Sequence, residues 1–287
     1  MKITAPTPDT LAAAQRGDLA ALDRLLATLQ PGIFNLALRV LGQRDDAADA
    51  TQEILLKIVT HLGGFRGEAA FTTWIWRVAH NHLLSARTAA AEAPHLSLDA
   101  LAEKLNAGLE ASDRLIHAQG GPRALTPQDK LEARQVALGC TQSMLMALDR
   151  EDRLVYVLDT VFDLPSAMAA EVVGVTPAAY RQRLSRSRAR LAAFTGKRCG
   201  LVSEAAACRC ERQLPVLRQL RQQEQRPALP VQVEGHQAER EFDAFVRVSD
   251  AAALFRAHPE AAAPAAMLAA IRAVLTQEGF LQRGLPQ

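Results

Sequence analysis

The stretch at 165–191, PSAMAAEVVGVTPAAYRQRLSRSRARL, narrows the choice of fold more than any other part of the chain. One short helical pattern ends near Val173, a second opens at Thr176-Pro177, and Gly174 lies between them. A threonine hydroxyl accepts a free backbone N–H at a helix start, and proline fits the first turn, where its missing N–H is not needed. Ala169 and Ala170 are small enough for two helices to cross closely, so the layout is that of a helix-turn-helix.

At about 100° per residue, Tyr180, Leu184, Ser187 and Leu191 share one stripe of the second helix, which is predicted to face a core. Ala178, Gln182, Ser185 and Arg186 fall roughly opposite, while Arg181 and Arg188 flank one side of the stripe and Arg183 and Arg190 the other. Seven basic residues and no acidic one lie within 180–198. Amide and guanidinium groups bond base edges in a DNA major groove, and further arginines neutralise phosphates. The arginines alone also fit a solvated helix end, where cations are favourable anyway; the cap, turn and small residues favour the groove.

Composition points the same way. Hydrophobic residues make up 49% of the chain but aromatic ones only 5%, which favours small helical domains over sheet. The formal net charge of +2 is too small to mark a nucleic-acid binder, so the segregation of acid and base along the chain carries the argument. Residues 1–10 lack the basic start and apolar run of a signal peptide, and no uncharged apolar stretch is long enough to span a bilayer. The expectation is a cytoplasmic protein that does not engage a membrane, with its cysteines reduced or metal-bound.

Residues 9–88 read as a helical domain. Leu19, Leu22, Leu25, Leu26 and Leu29 form one stripe, Pro31 is expected to open a new helix through Val40, and Gly42 ends it. The next helix starts near Asp45-Asp46, buries Ile54, Leu55, Ile58, Val59 and Leu62, and exposes an acidic face with Asp49, Gln52 and Glu53. A glycine-rich loop holding Phe65 and Arg66 follows, then a helix in which Phe71, Trp74 and Trp76 alternate with Arg77, His80, Asn81 and Arg87. Aromatic faces beside cations and amides suit unpaired bases. His61, His80 and His82 do not form a convincing metal set.

The segments DAADATQEILLKI and FRGEAAFTTWIWRVAHNHLLSAR resemble the second conserved region of bacterial extracytoplasmic-function sigma factors. The helix-turn-helix, with LDREDRLVYVLDTVFDL before it, resembles their fourth region. The resemblance implies an all-α protein: region 2 at 9–88, a linker at 89–128, region 4 at 129–196 and a helical extension at 197–287. It implies that Asp49, Gln52 and Glu53 face core RNA polymerase, with the β′ clamp and β flap as contact points. It assigns Phe65, Arg66, Phe71, Trp76, Arg77, His80, Asn81 and Arg87 to recognition and opening of the minus-ten promoter element. Thr176, Ala178, Ala179, Arg181, Gln182, Arg183, Arg186 and Arg190 are assigned to the minus-thirty-five element. An anti-sigma factor is a further candidate partner. The expected function is promoter-directed initiation without enzymatic activity; the rivals are a stand-alone helix-turn-helix regulator and, behind it, a helical metal- or redox-dependent enzyme.

The remaining segments are read from their residues. The linker is Ala-rich and charged, and nothing in it demands a packed core, although SLDALAEKLNAGL fits a short helix. A helix at 126–146 precedes one beginning at Asp149, and Cys140 reads as a small core residue. Cys199, Cys208 and Cys210 lie within twelve residues. They leave three readings open: plain thiols, a zinc or copper site completed by His236 or another residue, or redox-sensing thiols activated by Lys197, Arg198, Arg209 and Arg212. Two amphipathic helices, 238–255 and 264–275, are expected to pair with each other, either against region 4 or apart from it.

Overall fold

A computed structural model describes residues 3–86, 97–223 and 250–276. In chain order the helices are α1 (Pro8–Gln15), α2 (Leu19–Leu41), α3 (Arg44–His61), α4 (Phe71–Ser85), α5 (Leu98–Ala118), α6 (Pro127–Met146), α7 (Arg150–Tyr156), α8 (Ser166–Val173), α9 (Pro177–Arg198), α10 (Leu214–Gln222), α11 (Ala251–Arg256) and α12 (Ala266–Leu275). A π-helical turn (Val157–Val161) extends α7. Among the described residues no strand forms; one isolated bridge joins Cys199 to Cys208. The chain makes two compact units, 1–93 with 157–182 and 260–287, and 94–156 with 183–259.

In the first unit α2 is a single helix of 23 residues that passes through Pro31, correcting the expected break. Proline removes one helical hydrogen bond. Here the cost is met by burial on both sides of it, from Leu22, Leu25, Leu26 and Leu29 to Ile33, Phe34, Leu36 and Leu38. Asp18 caps its start by accepting the Ala21 N–H at 2.7 Å. Gly42, at φ 80°, closes its end with an N–H to the Leu38 carbonyl. The seam Ile54, Leu55, Ile58 and Val59 of α3 is buried as its spacing predicts.

The segment at 260–276 returns to α2 and α3. The Asn35 amide donates to the Ala261 carbonyl at 3.0 Å and accepts the Ala261 N–H at 2.8 Å. Met267, Ile271 and Leu275 of α12 are buried, and Arg272 pairs with Asp23 at 2.9 Å. The expected pairing of 238–255 with 264–275 is thereby corrected: α12 packs on α2 and α3. Phe255 of α11 meets Tyr156 edge-on at 5.2 Å in the second unit. Residues 238–249 lie outside those described.

The second unit corrects the reading of the linker. Residues assigned to it form α5, 21 residues long, capped by Ser97, whose hydroxyl accepts the Ala100 N–H at 3.0 Å. Leu101, Leu105, Gly108, Ser112 and Ile116 recur at helical spacing and are buried or half-buried. That stripe has a partner: α10 and the turn before it, with the Gln213 amide donating to the Leu105 carbonyl at 2.9 Å and the Val216 N–H to Ser112 Oγ at 3.2 Å. Arg153 is buried beneath the end of α6, donating to the carbonyls of Leu145 at 2.8 Å, Met146 at 3.0 Å and Leu148 at 2.8 Å.

Asp129 ties the start of α6 to α10. Thr126 and Asp129 form a capping box, and the carboxylate accepts the Thr126 N–H and hydroxyl, each at 2.7 Å. It also pairs with Arg218 at 2.7 Å and Arg123 at 3.0 Å. The Thr126 hydrogen bonds, then Arg218, hold its carboxyl well below the usual carboxylate range. A carboxyl lowered on folding stabilises fully above about pH 4 and loses that contribution as pH falls toward the folded-state value. Asp129→Asn should therefore melt below the native chain at neutral pH, and the gap should hold down to about pH 4 and narrow below it. A constant gap would show that the ionised carboxylate is not what anchors α10.

Candidate functional site

The acidic face of α3 forms as its spacing predicts: Asp49 and Glu53 are exposed and Gln52 is half-buried, opposite the apolar seam. Burial, then the neighbouring Asp49 and Asp45, pushes the Asp46 carboxyl up. At the other end of this face Lys57 Nζ lies 2.8 Å from His82 Nδ1, and Glu53 lies 3.9 Å from the same nitrogen. Burial and Lys57 pull His82 down against the opposing pull of Glu53. An ammonium can only donate, so His82 Nδ1 is the acceptor of a neutral ring.

The glycine-rich loop is held by Gln15, whose amide donates to the carbonyls of Leu62 at 3.2 Å and Phe65 at 3.0 Å. Gly67 turns it at φ 76°. Phe65, Phe71 and Trp74 cluster with ring centroids 5.3, 5.4 and 5.7 Å apart. Phe65 and Trp74 remain half-buried and Arg66 is exposed. Trp74 thus belongs to the presented aromatic group.

Trp76 and His80 are placed differently from the expectation that they face nucleic acid. Trp76 is 2% exposed, edge-on to Phe162 at 5.0 Å, and His80 is 4% exposed. Arg77 donates to the Glu171 carbonyl at 3.1 Å and pairs with its carboxylate at 3.2 Å. α4 packs against α2 and α3 and also against α8, which lies far later in the chain. Periodicity within one helix cannot show this second cover. Asn81 is exposed, its side-chain oxygen 3.1 Å from His80 Nδ1. Arg87 lies outside the described residues.

The helix-turn-helix closes as its residues predict. Gly174 ends α8 at φ 76°, and the N–H groups of Gly174 and Val175 both reach the Ala170 carbonyl, at 2.9 and 3.1 Å. The Thr176 hydroxyl accepts the Ala179 N–H at 3.2 Å. Tyr180, Leu184, Ser187 and Leu191 are buried. Thr176, Ala178, Ala179, Arg181, Gln182, Arg186 and Arg190 are exposed. Arg183 is half-buried and pairs with Glu151 at 2.6 Å and Asp152 at 3.6 Å, and Arg190 pairs with Asp152 at 3.6 Å. Arg181, Gln182 and Arg186 are thus offered outward, while Arg183 and Arg190 already hold carboxylates of α7.

None of the late cysteines is in a disulfide. Burial pushes the thiols of Cys199 and Cys208 up and that of Cys210 well up. Arg209 pulls Cys199 and Cys208 the other way, and Arg212 pulls Cys208, but by less than burial raises them. His236 lies outside the described residues. Among the described residues no helix is long and apolar enough to cross a membrane.

Comparison with known proteins matches residues 25–92 to the family model of sigma-70 region 2 and residues 138–191 to that of sigma-70 region 4. The chain is similar to the RNA polymerase sigma-H factor of Pseudomonas aeruginosa, 40% identical over 75 residues. That match spans 25% of this chain and 39% of the other. It is similar along more of its length to the ECF RNA polymerase sigma factor SigM of Mycobacterium tuberculosis, 27% identical over 66% of this chain and 84% of the relative. With the ECF RNA polymerase sigma factor SigW of Bacillus subtilis it shares 24% identity over 61% of this chain and 88% of the relative.

Two substitutions test the local construction of the turn. Gly174 has open space where a Cβ would go, so Gly174→Ala should cost only the left-handed backbone penalty, about 1–2 kcal/mol. Thr176→Ala should cost about 1 kcal/mol through loss of the cap. Urea unfolding of the full chain measures both; a neutral Gly174→Ala would mean that the turn relaxes to another conformation.

Proposed function

We propose, for a chain that belongs to the extracytoplasmic-function family of RNA polymerase sigma factors, that it binds core RNA polymerase, carries it to specific promoters and opens the DNA there. The observation that carries this reading is the combination of region 2 and region 4 on one chain, in that order, with an exposed acidic face and an aromatic–arginine group within region 2. A stand-alone helix-turn-helix regulator has no use for the latter two.

In this reading Asp49, Gln52 and Glu53 meet the basic β′ clamp of the polymerase, and region 4 meets the β flap. Arg181, Gln182 and Arg186 read the minus-thirty-five element, with Thr176, Ala178 and Ala179 approaching its backbone. Phe65 and Trp74 supply faces for unstacked bases, backed by the buried Phe71, and Arg66 and Asn81 supply the polar contacts. Trp76 and Arg77 join them only when α8 leaves α4. The Arg77–Glu171 pair that must break is half-exposed, the kind of contact that contributes about 0–1 kcal/mol, so a phosphate competes with it easily. Opening the duplex is differential binding, not turnover: capture of flipped bases shifts the equilibrium toward the melted strand. No catalytic group is required, the setting is the cytoplasm, and an inhibitory protein partner would act by covering the same surfaces.

Purified core polymerase, incubated with genomic fragments with and without this protein, should start transcripts at defined positions only when it is present. The Asp49→Ala, Glu53→Ala double variant should bind core about tenfold or more weakly, an effect of about 1.4 kcal/mol or greater, with an unchanged circular dichroism spectrum. Failure of the native chain to join core or direct any start would overturn the reading; specific binding to palindromic DNA as a dimer would then favour the regulator.

A further inference from the structure

The chain contains 4 cysteines, and all of them line one cavity. Cys140 comes from the middle of α6; Cys199, Cys208 and Cys210 come from the turn that follows α9. The cavity measures about 30 Å³, room for one water-sized occupant, and much of the wall between the thiols is hydrocarbon, including Val136 and Phe194. Cys140, expected to be an ordinary core residue, is half-buried at this wall.

The backbone builds the turn deliberately. Cys199 and Cys208 are bridge partners, with the Gly200 N–H donating to the Cys208 carbonyl at 2.9 Å. The Val202 and Ser203 N–H groups close back on the Cys199 carbonyl at 3.0 and 2.9 Å. A Cβ on Gly200 would fall 2.5 Å from the Cys208 carbonyl oxygen, so only glycine lets the two cysteines stand side by side. The thiol of α6 and the three of the turn thus border the same enclosed space. Four soft sulfur donors around one small, mostly apolar space are the donor set of a soft cation.

We propose that Cys140, Cys199, Cys208 and Cys210 form a tetrathiolate site for one soft divalent metal ion, zinc, with Cys140 as the fourth ligand. Four thiol protons leave to solvent and four metal–sulfur bonds form, giving a centre of net charge −2. Arg198 at the cavity wall, and Arg209 and Arg212 beside Cys208, offset that charge. Among the described residues no three metal-binding side chains already stand gathered for an ion, so binding requires the sulfurs to swing inward. A cysteine has one heavy-atom torsion to set for that movement. The bound ion would fasten the turn at 199–210 onto α6. The inference does not depend on the sigma reading, and its test has no polymerase in it.

The full-length chain, reduced and metal-stripped, is titrated with zinc against a chromogenic chelator, and separately with cobalt as a spectroscopic probe. One equivalent of zinc should bind, four thiols should become unreactive to a disulfide reagent, and cobalt should give the strong sulfur charge-transfer absorption of tetrahedral tetrathiolate coordination. Loss of a direct ligand should cost at least the roughly tenfold typical of losing a supporting partner, so Cys140→Ser and Cys140→Ala should each weaken zinc by more than about tenfold. Their cobalt absorption should drop by the share of one thiolate. Met144→Leu, a change in the same wall that removes no thiol, should bind zinc as the native chain does. Absence of stoichiometric zinc uptake would overturn the proposal. So would native-like affinity in both Cys140 variants, or an equal loss in Met144→Leu, which would make the effect one of packing.

Discussion

From 32 to 41 every residue of α2 is buried. A helix enclosed on all sides needs neighbours on all sides, and no single adjacent segment can supply them. The first unit is the consequence: α1, α3 and α4 come from nearby in sequence, the π turn from the middle of the chain and α12 from its far end. Two polar side chains within the enclosed stretch select the last of these. Asn35 is satisfied by the backbone of Ala261, and Arg39, pulled by burial down to about 10, has Glu260 as its counter-charge. A buried amide and a buried guanidinium are costly alone, so they specify which segment covers them.

The same enclosure decides which functional groups are offered. Phe65, Trp74 and Arg66 sit on the open side of α4 and its preceding loop, while Trp76 and Arg77 lie on the side that α8 and Phe162 cover. In the proposed reading such groups must be held in shape but released by partners. Here the aromatic contact supplies the hold, and an exposed ion pair supplies the weak point. In the recognition helix the division is similar. Arg183 and Arg190 pair with carboxylates of α7, while Arg181, Gln182 and Arg186 are exposed, as the proposed base reading requires.

In the second unit, charge held by hydrogen bonds is set against charge removed from water. Asp129 and Arg153 are each enclosed and each multiply bonded, one to Thr126 and two arginines, the other to three carbonyls. They fasten the two ends of α6. The thiols lie between them, on the same helix and the adjoining turn, around one small and mostly apolar cavity. Four sulfurs gathered around one cavity are what mark it as a place for the proposed cation.

Sequence alone determined the elements whose information is local. The Thr176 cap, the Gly174 turn, the stripe from Tyr180 to Leu191, the seam of α3 and the acidic face opposite it follow from residue chemistry and a period of about 3.6. Tertiary structure decided whatever depends on a partner distant in the chain. Pro31 is carried inside α2 because both flanks are buried; α5 is a full helix because α10 accepts its stripe; Trp76 is interior because α8 covers a second side of α4. Cys140 joins three cysteines far along the chain because α6 and the turn at 199–210 wall the same cavity. The physical reason is common to all four. Periodicity reports that a face must be buried, but which segment buries it is settled by the polar groups and volumes that the remote partner brings.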